Sequence, residues 1–183
     1  MYKTLSKTAL PGLIATWQER ATVTAPVHGQ DIIEFQPLTG AEVSNLALGA
    51  RTRYPPKALL LPQSQAMFHV QGAEFEAVNV ASSPQIVLGL CACDARAMQL
   101  LDGVFMPEEN QDPYWANRRE QTTLIVMGCA APGATCFCTT VGSDPFDRRG
   151  ADVILTEAGE AYIADVQTDK GEALFGHLPA VAQ

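Results

Sequence analysis

Two apolar runs dominate the pattern of hydrophobic and polar positions. Ile86-Val87-Leu88-Gly89-Leu90 leads straight into Cys91, and Thr122 to Met127 leads through Gly128 to Cys129. Runs this short and uniformly apolar suit strands buried on both faces, in the middle of a sheet covered by helices. Shorter strand signals occur at Val23 to Pro26 and Asp31 to Phe35, with His28-Gly29-Gln30 turning between them. Ala58 to Leu61 reads as a buried strand stopped by Pro62, and Ala66 to Val70 as another. Glu74 to Val80 alternates in character, as a half-buried strand does, and Val153 to Leu155 with Ala161 to Val166 suggests a hairpin around Gly159. Helical spacing appears over residues 4–20 (Leu10, Leu13, Ile14, Trp17), where Pro11-Gly12 interrupts it. It returns after Asp94, which suits an N-cap, through Ala97, Met98 and Leu101 to a stop at Gly103. Short helices are expected at Trp115 to Arg119 and Lys170 to Leu178, and loops at 38–57, 106–114 and 130–147. The order of elements predicts a single α/β domain over 1–183, with a mixed sheet flanked by helices and residues 1–22 as an optional helical appendage.

Composition narrows the function classes. The chain has 183 residues, 47% hydrophobic and 17% charged, which is a globular rather than a disordered balance. Its formal net charge of −8 argues against nucleic-acid binding, which needs clustered Lys and Arg. No apolar run approaches the roughly 18 residues that a membrane helix needs. Lys3 and Lys7 are followed by no apolar h-region, so no signal peptide is expected. The five cysteines are an odd count, and their two Cys-x-Cys pairs are too tight for ordinary disulfides. Reduced cysteines in a cytoplasmic protein are the expectation, used for metal binding or redox work.

All five cysteines fall between Cys91 and Cys138, as Cys91-Ala92-Cys93-Asp94, Cys129, and Cys136-Phe137-Cys138. Two buried strands each end at a cysteine, so the two groups can meet at the carboxyl ends of neighbouring strands, where open α/β sheets gather function. Four converging thiolates suit a [4Fe–4S] cluster or a structural zinc. A helix starting near Asp94 would offer its N-terminus, and Arg96 a positive charge, to an anionic cluster. The spacing matches neither a zinc ribbon nor a bacterial ferredoxin run, so zinc, a cluster, or cysteines that merely pack all stay open on spacing alone.

Longer motifs extend the reading. Gly89 to Ala97 with Leu101-Asp102-Gly103-Val104-Phe105, then Asp112-Pro113-Tyr114, Arg118-Arg119-Glu120, Cys129, and Cys136 to Gly142 resemble the β subunits of cytosolic sulfhydrogenases. They are similar also to the A subunit of anaerobic sulfite reductase. Pro56 to Pro62 and Ala151 to Thr156 belong to the same resemblance, which spans about residues 55 to 165 and is most specific at Cys-Phe-Cys. The resemblance implies an electron-transfer subunit of a multisubunit oxidoreductase, working with flavin or ferredoxin-type partner subunits. It implies Cys93, Cys129, Cys136 and Cys138 as ligands of one [4Fe–4S] cluster, with no catalytic residue of the chain's own. Two departures stand out. These residues contain no C-x2-C-x2-C-x3-C-P run, so the relatives' ferredoxin-like part is not among them. Where relatives carry Arg-Pro before Cys-Asp this chain has Cys91-Ala92, which leaves Cys91 extra. The alternative function is a non-redox docking domain with structural zinc or metal-free cysteines.

The remaining chemistry-bearing residues read blandly. His28, His69 and His177 are scattered, and Glu108-Glu109 and Asp144 with Asp147 lie in loops expected to be solvated. The basic pairs Arg51/Arg53, Arg118-Arg119 and Arg148-Arg149 suit solvent, a partner's acidic face or a cluster's charge. No nucleotide-binding glycine motif and no nucleophile elbow occurs.

Overall fold

The computed structural model of the chain describes residues 1–78 and 81–181. In chain order its elements are β1 (Tyr2–Ser6), α1 (Leu10–Gln18), β2 (Thr22–His28), β3 (Ile33–Pro37), β4 (Phe68–Gln71) and β5 (Glu74–Ala77). Then follow β6 (Gln85–Cys91), α2 (Ala92–Phe105), α3 (Pro113–Gln121), β7 (Thr122–Met127), β8 (Val153–Ala158), β9 (Ala161–Val166) and α4 (Asp169–Phe175). Seven strands form one mixed sheet in the order β1-β9-β8-β7-β6-β2-β3. Its centre, β2-β6-β7-β8, is parallel, while β9 and β3 run antiparallel to their neighbours. The α/β reading with a mixed sheet holds.

The apolar runs are central because helices cover both their faces. Ile86, Leu88 and Ile125 join Ile14 and Trp17 of α1 and Phe175 of α4 in one core. Val87, Leu90, Leu124 and Val126 join Ala95 and Met98 of α2 and Trp115 of α3 in the other. Each such large side chain contributes about 1.5–3 kcal/mol on burial. Strict alternation would send Leu90 to the same face as Leu88. A register shift between Leu88 and Leu90 restores it to the α2 face. The residue absorbing that bulge is Gly89, at φ +81°. A Cβ there would meet Leu48 Cδ2 at 2.6 Å, so only glycine lets the segment around Leu48 cross so closely. That segment is tied down by Gly49 N–H donating to Gly89 O at 3.0 Å and by a bridge between Val27 and Leu46.

Several local expectations are corrected. Residues 4–20 are not one helix: β1 pairs with β9 at the sheet edge, and the helix begins only at Leu10. Pro11 sits in the first turn, where its missing N–H costs nothing, so it starts α1 instead of interrupting it. Segment 1–22 is thus an edge strand and a core-packed helix. Pro56–Leu59 is a 3-10 turn and not a strand, although Leu60 after it is fully buried. α2 is capped at Cys91, with Asp94 inside its first turn. It runs past Gly103 because Phe105 stacks on Trp115 at 5.1 Å, offsetting the roughly 1 kcal/mol that glycine costs. β4 and β5 form a separate two-stranded hairpin with every residue exposed, so the alternation at Glu74 does not mark a half-buried strand. Val80, the expected end of that strand, lies outside the described residues.

Candidate functional site

β6 and β7 are parallel neighbours with Cys91 opposite Met127. Their carboxyl ends therefore bring Cys91, Cys93 in the first turn of α2, and Cys129 to one end of the sheet. Cys91 is buried, and its thiol has two acceptors within reach, Gly49 O at 3.6 Å and the Cys93 sulfur. The pairing with Cys93, burial, and the charge of Asp94 push its thiol far up, and the charge of Cys129 acts in the same sense. Cys93 is exposed and its thiol is lowered to about 7. The hydrogen bond from Cys91 is the main cause, helped by the backbone N–H groups of Cys93 and Asp94 at the start of α2; burial and the Asp94 charge oppose it. Burial raises Asp94 itself.

Cys136 and Cys138 lie on the long connection from β7 to β8. The Cys136 sulfur accepts from Gly133 N–H at 3.2 Å and from Arg51 Nη1 at 3.5 Å. The Arg51 guanidinium lies directly over the Gly133 backbone, where a Cβ would come 1.4 Å from Nη1. Cys138 opens a 3-10 turn through Val141, and its carbonyl accepts from Ser143 N–H. The base of the connection is pinned by Cys129 N–H to Pro145 O at 3.0 Å and by Asp147. That carboxylate, expected in solvent, is only 4% exposed; it accepts from the Ser143 hydroxyl and the Arg149 guanidinium. Arg149 holds its carboxyl well below the usual carboxylate range.

The structure thus brings Cys91, Cys93 and Cys129 to one sheet end and sets Cys136 and Cys138 on an adjoining loop. All five are free thiols. Among the described residues no group of three or more His, Cys, Asp or Glu side chains is arranged to hold a metal ion. Of the basic residues, Arg96 turns to Gln99, Arg119 pairs with Asp102, and Arg148 with Asp165, so these serve the fold. Among the described residues, Arg51 is the arginine that reaches a cysteine sulfur. Sequence reasoning noted it only as half of a basic pair, and the only pointers to it were the glycines at 49 and 89 that let its segment cross the sheet end.

Next to Cys129 opens a cleft of about 840 Å³ at the carboxyl ends of β2, β7 and β8. Leu46, Leu48, Met127 and Phe146 supply its apolar lining, and His28, Arg51, Thr156 and Tyr162 its polar groups. Among the described residues no helix is long and apolar enough to cross a membrane. Comparison with family models, curated proteins and solved structures found no match for the chain.

Proposed function

We propose that the protein is an electron-transfer module of a multisubunit oxidoreductase, working in the cytoplasm and holding one [4Fe–4S] cluster through Cys93, Cys129, Cys136 and Cys138. The observation that carries this reading is that four accessible free thiols lie at and beside the carboxyl ends of two adjacent buried strands. The donors around them also suit an anionic thiolate centre: Gly133 N–H and the Arg51 guanidinium at Cys136, and the first turn of α2 at Cys93. When bound, the cluster supplies a one-electron relay. The chain's own residues lower the Cys93 thiol, shield Cys91, and position the β7–β8 connection through Asp147. Ligation by all four sulfurs requires that connection to close toward the start of α2.

In this reading electrons are passed to and from partner subunits of flavin or ferredoxin type. Anaerobically purified protein should be brown, with broad visible absorbance and a reversible one-electron signal. Replacing Cys136 and Cys138 with Ala should remove colour and signal while leaving the fold intact. Colourless anaerobic protein with unchanged far-UV circular dichroism would reject the cluster.

One observation favours a second reading, a non-redox docking domain with structural zinc or metal-free cysteines. The β4–β5 hairpin carries Phe68, Val70 and Phe75 on one face, all more than half exposed, and such a face suits a protein partner. Stoichiometric zinc without sulfide, or neither metal, would select it.

A further inference from the structure

The cleft beside Cys129 carries groups that the cysteine site does not use. Tyr162 is only 9% exposed, lines the cleft, and its hydroxyl has no hydrogen-bond partner among the described residues. It is not sealed in protein either, since Trp17 Nε1 is the lone fully enclosed side-chain N or O found without a partner there. A nearly buried, unpartnered hydroxyl on a cleft wall is a polar group left for a ligand. The His28 imidazole at the end of β2 and the Thr156 hydroxyl on β8 are likewise unpartnered and line the same space. Arg51, whose Nη1 also donates to the Cys136 sulfur and so is shared with the cysteine site, adds a fixed positive charge at that side. The one carboxylate in the lining, Glu157, is neutralised by its ion pair with Lys7, whose ammonium also lies 5.6 Å from the centre of the Tyr162 ring. The polar lining is therefore biased toward an anion.

The apolar lining has a shape of its own. Phe146 is 45% exposed, and Gly128 lets its ring lie against the backbone, where a Cβ would come within 2.4 Å of it. An accessible ring packed on a rigid strand end is a stacking platform. Leu48 and Met127 complete the apolar lining, and the volume lies within the range that holds cofactor-sized molecules.

We infer that this cleft binds a planar aromatic molecule bearing an anionic tail, with Phe146 against the ring, Tyr162 donating a hydrogen bond, and Arg51 and His28 meeting the anion. Binding itself stands on the cleft alone. Only the consequence, a small-molecule redox partner lying beside a cluster ligand at Cys129, rests on the electron-transfer reading.

Flavin mononucleotide is the probe, titrated into the protein and followed by flavin fluorescence, with iron counted on the same sample. Saturable binding is expected, about tenfold weaker for riboflavin, which lacks the phosphate. Tyr162→Phe should weaken binding about fivefold, and Ala131→Trp, at an exposed lining position, should abolish it without changing far-UV circular dichroism. Absence of saturable binding up to about 1 mM, or affinity unchanged in both variants, overturns the inference. Flavin binding by iron-free protein would sink the cluster and keep the cleft; iron-loaded protein that ignores flavin would do the reverse.

Discussion

The two ends of the parallel strands follow opposite rules. At the amino end, buried polar groups are satisfied by the chain itself. Asp152 accepts from Leu124 N–H at 2.8 Å and from the Thr168 hydroxyl at 2.6 Å. Lys170 donates to Arg119 O and Thr122 O, and the Thr122 hydroxyl donates to Arg118 O. At the carboxyl end Asp147 is satisfied by Ser143 and Arg149, but the thiols form no disulfide, and among the described residues the Tyr162, His28 and Thr156 side chains have no hydrogen-bond partner; glycines at 49, 89 and 128 hold backbone and side chains unusually close. A polar group that the fold satisfies belongs to stability; one that it leaves open is available to a ligand. Trp17 Nε1 is the exception at the amino end, enclosed with no acceptor.

The sharpest way to break this contrast is Asp152→Ala, which strands a buried N–H and a hydroxyl. It should lower stability to denaturant by about 2–4 kcal/mol while leaving iron content per folded chain unchanged. Gly89→Ala comes next, at about 2 kcal/mol, because it combines a positive φ with contact to Leu48; it should also raise protease sensitivity around residues 46–51. Cys136→Ser should shift stability of the metal-free protein by no more than about 0.5 kcal/mol, since the side chain is exposed, yet remove the visible absorbance. Trp17→Phe should change stability by less than about 1 kcal/mol, because deleting an orphan donor offsets the smaller ring.

Acid offers a test within the carboxyl end. Asp147 titrates below its unfolded value, so its contribution is present above the unfolded pKa of about 3.9 and is lost as pH falls through the lower folded value. Wild type should therefore lose stability below about pH 4 more steeply than Asp147→Asn, as read by denaturant midpoints from pH 5 to 2. Equal slopes would mean that the Arg149 pair does not anchor the connection.

Much of the fold was legible because burial writes itself into composition. The runs at 86–90 and 122–127 announced central strands, and the cysteines after them announced adjacent strand ends. The misreadings arose where tertiary contacts override local signals. Leu59 and Leu60 looked like a strand because Leu60 is fully buried and Leu59 partly so, but they lie at the end of a 3-10 turn and just after it. Gly103 looked like a helix stop, but Phe105 had a ring to stack on. Asp147 looked solvated, since no local pattern reveals an Arg two residues on folding back over a carboxylate. Arg51 and the cleft were invisible for a stronger reason: they depend on a segment 38 residues before Gly89 in the sequence crossing the sheet end, which only the three-dimensional path discloses.

The central claim is that Cys93 and Cys129 at one sheet end, with Cys136 and Cys138 on the adjoining loop, hold a [4Fe–4S] cluster. The most direct measurement is iron, acid-labile sulfide and zinc per chain in anaerobically purified protein. The account predicts about four irons and four sulfides with negligible zinc. One zinc without sulfide, or neither metal, would contradict it and leave the cysteines to structure or docking.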